Sequence, residues 1–469
     1  MTLRLVAALV ILCSPVVANG QGLADLVPDL ILNGITLPGG AAPGNPHAGH
    51  FTLGNPTIGG SQPASRVDSA TILAVENFNG SLIRQLANVP LGSSTGGFTF
   101  TFDEKTGTYT RGSNSFGPSF TERANTIGHR KLSAGFTYQH SSFDSFGDLD
   151  LEDGSINFYL PHTDCCSAAA PPPSSNIPGL EGDLLQASLQ LKATADTFAL
   201  MANYGVTSRL DVGVALPITH VSLDATVNGS IIRLSTFATP TVHTFGETGQ
   251  DQIRQTFTSS GSATGIGDIV LRTKYAFYSR GNTGLAGGFD LRLPTGDEEE
   301  LLGLGATQGK IYGIASYTSG RVSSHFNFGY TMSTAGSESF ILTASDEMNY
   351  TGAVEFVAHP RLTVVADFLG RSFIDAGTVA AEDQEYTYRV GAGADATVPT
   401  QVSRANPLSG DPYRQLALTP GNLNVLLGAV GGKFNLLPNL LISGNVLFPL
   451  ANSGLRDQMT IAFGLDYAF

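Results

Sequence analysis

The sequence predicts an all-β fold, a transmembrane antiparallel up-and-down β-barrel of about 12 strands with an irregular N-terminal segment. Three observations predict it. Strict two-residue alternation of apolar and polar side chains recurs from Lys131 to the end of the chain. Charged residues are only 14% of 469, against 42% hydrophobic, where soluble domains carry roughly 25% charge. The connections between alternating stretches are short and long by turns, as the two rims of a membrane barrel require.

The last strand shows the pattern most plainly. Met459, Ile461, Phe463, Leu465, Tyr467 and Phe469 share one parity; Thr460, Ala462, Gly464, Asp466 and Ala468 share the other. A strand turns alternate side chains to opposite faces. The greasy face therefore meets lipid and the small or polar face the lumen. Tyr467 and the terminal Phe469 are read as an assembly signal.

Residues 1–20 read as a cleaved signal peptide: Arg4, then Leu5 to Leu12 apolar, then Val16-Val17-Ala18. The expected destination is the outer membrane of a Gram-negative bacterium. The expected partners are its lipid and lipopolysaccharide, the barrel-assembly machinery and a small solute. A net charge of −14 argues against nucleic acid. Beyond the signal only Cys165 and Cys166 remain. They are read as a strained adjacent disulfide in a loop, with two free thiols as the alternative.

Residues 21–130 form a separate region, rich in Gly, Pro, Ser and Thr, that serves as a lumen plug or a periplasmic segment. Ser69 to Leu86 is a candidate helix and Phe98 to Tyr109 a hairpin. If that hairpin joins the wall, the count rises to 14. The region's modest apolar content is too small for a large core of its own, so part of it is expected to occlude the channel.

Residues 131–469 form the barrel. Leu132, Ala134, Phe136 and Tyr138 open it. A loop spans Ser141 to Asp183, and a long strand runs from Leu184 to Tyr204, half in lipid and half in water. Further strands follow from Leu210, Ile269, Phe289, Leu362 and Leu440. Val-Ala-Leu-Pro217, Leu-Arg-Leu-Pro294 and Val-Leu-Phe-Pro449 read as three strand ends on the outer rim, since proline lacks a ladder donor. Near Asn422 to Asn435 the register suggests a bulge.

The opposite parity carries Asp211, Asp268, Arg272, Lys274, Asp290, Arg292, Glu355, Asp367, Arg371 and Asp466. A Lys or Arg facing mid-bilayer costs about 2–4 kcal/mol, so these ten are assigned to the lumen. They fill it structurally, line a solute path, or both. Pairing across Ser279–Gly284 predicts an ion pair between Lys274 and Asp290.

Gly265-Ile-Gly-Asp-Ile-Val-Leu-Arg-Thr-Lys-Tyr275, Leu291-Arg-Leu-Pro-Thr-Gly-Asp297 and Tyr204-Gly-Val-Thr-Ser-Arg-Leu-Asp211, with the terminal Phe469, carry a resemblance. Over roughly Leu184 to Phe469 the chain resembles the transporter-like outer-membrane barrels associated with the meta-pathway of phenol degradation. More distantly it is similar to long-chain fatty-acid and aromatic-hydrocarbon channels. The resemblance implies passive uptake of small hydrophobic compounds and an N-terminal plug.

Other chemistry finds little support in the sequence. Gly303 to Lys310 imitates a phosphate loop, but Leu304 stands where the first glycine belongs and Ile311 where Ser or Thr would hold magnesium. His47 and His50 read as solvated, and Asp297 to Glu300 as a solvated loop tip. There is no Gly-x-Ser-x-Gly elbow. No catalytic residue, metal or cofactor is assigned. The leading function is a channel for small, hydrophobic or aromatic solutes. The alternatives are a structural or surface-interaction barrel and an outer-membrane hydrolase.

Overall fold

The computed structural model describes residues 22–35, 69–87, 89–94, 97–103, 108–161, 183–234, 244–246, 250–334, 344–389 and 400–469. The signal segment, His47, His50, Cys165 and Cys166 lie outside the described residues.

Before the barrel come helix α1 (Leu26–Leu32), helix α2 (Ser69–Leu86) and a hairpin of β1 (Phe100–Asp103) and β2 (Thr108–Arg111). Then follow β3 (Leu132–Phe143), the short β4 (Ser145–Phe146) and β5 (Leu149–Asp150), β6 (Ile156–Pro161), β7 (Leu184–Gly205), β8 (Leu210–Ile232) and β9 (Arg254–Ile266). Next are β10 (Ile269–Arg280), β11 (Thr283–Leu293), β12 (Gln308–Ser319), β13 (Val322–Ser333), β14 (Glu347–His359) and β15 (Leu362–Phe373). A long connection holds β16 (Thr378–Gln384), β17 (Tyr386–Arg389), β18 (Thr400–Ser403) and β19 (Tyr413–Thr419). The chain ends with β20 (Leu423–Leu437), β21 (Leu440–Pro449), β22 (Leu455–Arg456) and β23 (Thr460–Ala468).

Twelve strands close the wall. The sequential neighbours β3, β7, β8, β10, β11, β12, β13, β14, β15, β20, β21 and β23 pair antiparallel, and β23 returns to β3. The hairpin β1–β2 pairs only with itself, so the wall has 12 strands and not 14. Along β13, Phe326, Phe328 and Met332 point outward and are exposed, while Ser323, His325, Asn327 and Thr331 are buried inward. The whole wall repeats this pattern, and a belt of exposed Phe, Tyr, Leu, Ile and Val results. Only lipid makes that belt stable, so the barrel is transmembrane. Five connections of two to four residues, at 206–209, 281–282, 320–321, 360–361 and 438–439, share one rim with Phe469, the turn end. Longer connections mark the loop end.

β7 and β8 are 22 and 23 residues long and rise past the loop end, where β6 and β9 join them as two extra strands. Their surface chemistry inverts at that height. Low on β7, Phe198, Leu200 and Tyr204 face lipid, while Thr197 and Asn203 face in. Higher up, Gln186, Ser188, Gln190 and Lys192 face out on the same parity, and Leu185, Leu189 and Leu191 are buried inside. The exterior there is water and the interior is protein, so each face takes the opposite polarity. Tyr138, His140 and Asp196 sit at the changeover. Asp196 accepts from the Tyr138 hydroxyl at 2.6 Å, and His140 Nδ1 lies 2.8 Å away.

The interior of this projection is filled by α1 and α2. Leu26, Val27, Ile31, Val75, Phe78, Leu82 and Leu86 join Phe158, Leu189, Val221, Leu223 and Val227 in one core. The N-terminal region therefore does contribute to a sizeable core, because the barrel's own extension supplies the other half. In α2 the buried Thr71, Val75, Phe78, Leu82 and Leu86 recur at three or four residues, which places them on one stripe. Asn79 donates to the Ala24 carbonyl at 2.7 Å and ties α2 to the turn that leads into α1. Beside them Tyr159, Tyr386 and Tyr413 pack ring against ring, and burial pushes the Tyr159 phenol up to about 12.

Three further expectations need correction, and one strand was not anticipated. Ser141–Asp183 is not all loop, since it contains the end of β3 together with β4, β5 and β6. Pro217 does not end a strand, as Pro294 and Pro449 do. β8 changes partner there, from β10 up to Ala215 to β9 from Ile218, and a residue without an N–H fits that gap. The strand β9 carries polar Thr and Ser on its outer face, which hides the membrane pattern. Finally, Asp297–Glu300 does not stand free: the Glu299 carbonyl accepts the Ala24 N–H at 2.8 Å, and Leu301 and Leu302 are buried. The bulge expected within Asn422 to Asn435 falls just beyond it, between Asn435 and Leu437 on β20.

Candidate functional site: the occupied lumen

The N-terminal segment threads the barrel. α1 and α2 cap the loop end, residues 89–94 descend along the wall, and the β1–β2 hairpin rests at the turn end. There Lys131 Nζ lies 4.9 Å from the Phe100 ring centroid and 4.7 Å from that of Tyr109. Phe98 and Phe116 pack on Leu441 and Ala468. Residues 116–127 then cross the lumen before β3 begins.

This crossing segment has no regular secondary structure, so its backbone groups need other partners. The wall provides them. Phe116 N–H donates to Thr363 Oγ1 at 3.2 Å and Gly117 N–H to Glu355 at 2.9 Å. The Asp367 carboxylate accepts three successive amides, from Ser119 (3.2 Å), Phe120 (3.3 Å) and Thr121 (3.0 Å). Asn327 accepts from Glu122 N–H at 2.7 Å and donates to its carbonyl at 2.9 Å. Ala124 N–H donates to Ser316 Oγ, and Ile127 N–H to Asp211, both at 2.9 Å. Lys433 donates to the Pro118 carbonyl at 2.7 Å. Gly117 needs to be glycine: its φ is +77°, and a Cβ there would lie 3.1 Å from the Arg123 guanidinium.

The ten inward charges fall into distinct places. Asp211, Glu355 and Asp367 hold the crossing segment, as above. Lys274 is buried and meets Glu122 at 3.3 Å and Asp211 at 3.9 Å. Its expected partner Asp290 instead meets Lys310 at 3.5 Å, Arg272 at 3.8 Å and the Tyr312 hydroxyl at 3.0 Å. A bulge at Phe277 sets the register, so Arg272 stands opposite Asp290 and Lys274 opposite Gly288. The Lys274–Asp290 ion pair is thus corrected, although both side chains do point inward. Arg371 donates to the Glu347 carboxylate through Nε and Nη2, at 2.7–3.1 Å. Asp268 stands apart at the loop-end rim, where it accepts Gly296 and Leu304 N–H. Asp466 and Lys433 line one small cavity beside β23. Arg292 lines a cavity on the loop side of the crossing segment. Tyr467 and Phe469 lie on the lipid face at the turn end, ring centroids 4.7 Å apart.

Several lumen residues are absent from the ten named from the sequence. Glu122 and Arg123 lie in a stretch without periodicity. His325, Lys310, Glu347 and Lys433 share the inward parity of their strands and were within reach of the same alternation argument.

Two cavities flank the crossing segment. Toward the loop end a cavity of about 170 Å³ lies between residues 89–91, Phe120 and the wall. Toward the turn end a polar vestibule of about 550 Å³ is lined by Thr99, Asn125, Thr126, Thr207 and Ser208 among others.

A family described as "Putative MetA-pathway of phenol degradation" matches residues 181–418, just over half of the chain. The chain belongs to that family. No protein of curated function matches it. Among solved structures the family member is similar to an outer membrane channel from Pseudomonas putida F1, with 11% identity and a TM-score of 0.41 over 74% of this chain and 98% of that one. It is also similar to the translocator domain of the autotransporter NalP from Neisseria meningitidis, with 9% identity and a TM-score of 0.30 over 73% and 89%. A Pseudomonas aeruginosa FadL homologue gives 10% identity and a TM-score of 0.28 over 72% and 89%. At such identities these likenesses concern barrel architecture and carry nothing about cargo.

Proposed function

We propose that this family member is an outer-membrane channel for small solutes, occluded at rest by its own N-terminal segment. One observation carries the reading: a cavity lies on either side of a crossing segment that is held to the closed wall through side chains. An irregular segment fixed by hydrogen bonds to lumen charges can leave without breaking the wall, since none of its bonds belongs to the barrel ladder. The short-turn rim then faces the periplasm and the helical cap faces the cell exterior, after export through a cleaved signal peptide. The family description names phenol degradation, and Phe120, Leu369, Val425 and Leu427 give the upper cavity an apolar side. Both favour hydrophobic or aromatic cargo.

A chain of Ser316, His325 and Glu355, linked at 2.8 and 2.6 Å, touches on the hydrolase alternative. Here the serine oxygen contacts Nδ1 and already accepts the Ala124 N–H. A nucleophile needs that oxygen open to substrate; this one anchors the crossing segment.

The test is conductance in planar bilayers and uptake of phenol, toluene and short fatty acids by liposomes holding the mature chain. Measurable conductance with solute uptake is expected. No conductance and no uptake, with the crossing segment in place or removed, overturns the reading and favours a structural barrel. The removal has to extend through Ile127, because a truncation at Ser115 leaves the crossing segment behind.

A further inference from the structure

The upper cavity is unevenly charged. Four cations line it, Arg272, Arg292, Lys310 and Arg371, against three carboxylates, Glu122, Asp290 and Glu347. Three of the cations are engaged. Arg371 is chelated by Glu347. Lys310 faces Asp290 and lies 4.7 Å from the Tyr312 ring centroid. Arg272 donates to the Gly92 carbonyl at 2.8 Å, with Asp290 and Glu122 beside it. Arg292 differs. Among the described residues it makes no hydrogen bond and no ion pair within 4 Å, although it lies inside the barrel wall opposite Val270 and Gln308. The nearby carboxylate of Asp268 is occupied with the Gly296 and Leu304 amides.

A guanidinium in a partly desolvated cavity keeps five donors in a planar fork suited to a carboxylate. Asp268 and Glu347 attract the Arg292 guanidinium from beyond ion-pair distance and neither bonds to it, so its donors stay open toward the cavity. The other side of the same cavity is apolar, built by Leu91, Phe120, Leu369, Val425 and Leu427. A ligand satisfying both walls has one carboxylate and a small apolar body. An inorganic anion would satisfy the guanidinium and leave the apolar wall unmatched.

We infer that Arg292 is the anchor of a binding site for small amphipathic organic acids, such as aromatic or short aliphatic carboxylates. The inference rests on the channel reading and narrows its cargo from hydrophobic compounds in general to their carboxylates. The site lies on the loop side of the crossing segment, where an incoming solute is held before the lumen opens.

The experiment measures binding, not transport. Fluorine NMR titrations of the full mature chain in detergent use 4-fluorobenzoate, with 4-fluorobenzyl alcohol as the neutral analogue. Saturable binding of the acid is expected, at least tenfold tighter than the alcohol. Arg292→Gln should weaken acid binding at least tenfold and leave the alcohol unchanged, while Arg292→Lys retains part of the preference. Sulfate should not displace the acid at equal concentration. Equal binding of acid and alcohol by the native chain overturns the inference even if Arg292→Gln does not fold. So does a folded Arg292→Gln that binds the acid normally, and so does displacement by sulfate alone. Conductance without acid binding sinks this inference and leaves the channel reading standing. Acid binding without conductance does the reverse.

Discussion

Replacing Asp367 by alanine should release the crossing segment. Its carboxylate accepts the amides of Ser119, Phe120 and Thr121 and is itself buried. Hydrogen bonds to a charged acceptor contribute about 1.5–3 kcal/mol each, and a buried donor left unmade costs a comparable amount. The three bonds share one carboxylate and, at 3.0–3.3 Å, are not short. Water entering the space vacated by the side chain offsets part of the loss. A net destabilisation of about 3 kcal/mol follows, which is roughly a hundredfold in the opening equilibrium. Hydrogen–deuterium exchange on peptides covering 116–127 reads this directly in detergent or nanodiscs. Asp367→Ala should speed exchange there by about two orders of magnitude and leave the wall strands protected. Asp367→Asn keeps one acceptor oxygen and should give a smaller effect, near tenfold. Unchanged exchange in Asp367→Ala, with the barrel still heat-modifiable, refutes the idea that wall side chains hold the segment.

Phe469 packs its ring on Tyr467 at the turn end and donates its N–H to the Leu132 carbonyl, closing the last ladder; deleting it or introducing Phe469→Asp should sharply reduce the heat-modifiable, membrane-embedded protein seen on gels. Phe78 is fully buried between α2, Phe146 and Phe158, so Phe78→Ala should cost about 3–5 kcal/mol locally. Limited proteolysis should then cut the helical cap while the wall stays intact. Threading places Leu23 beside β9 at the loop end; an epitope inserted before Leu23 should be labelled on intact cells, whereas labelling only after permeabilisation would reverse the assigned sidedness.

The wall was legible because lipid and lumen impose opposite polarity on every second residue over whole strands. Once β7 to β9 leave the membrane that rule inverts, and rows such as Thr256, Thr258, Ser260 and Ser262 on β9 present no apolar face to count. Parity assigned the ten charges to the lumen, but it could not name their partners. A single bulge at Phe277 decides whom Lys274 can reach. The crossing segment was the least legible part. Its amides are satisfied by side chains 84 to 248 residues away in sequence, from Asp211 to Asp367. No local pattern records such contacts, and their absence from the sequence signal left residues 116–127 without periodicity of any kind.

Movement of the crossing segment is the central claim, and a reversible tether tests it most directly. A Cβ built on Gly284 lies 3.0 Å from that of Ala124, within small adjustment of the roughly 3.5–4.5 Å a disulfide needs. Ala124→Cys with Gly284→Cys, in a background with Cys165→Ser and Cys166→Ser, therefore links the segment to the wall. In planar bilayers the account predicts a closed channel when this pair is oxidised and recovery of conductance and solute uptake on adding reductant to the same membrane. Equal conductance in the oxidised and reduced states would contradict it, because solute would then be passing with the segment fixed in place.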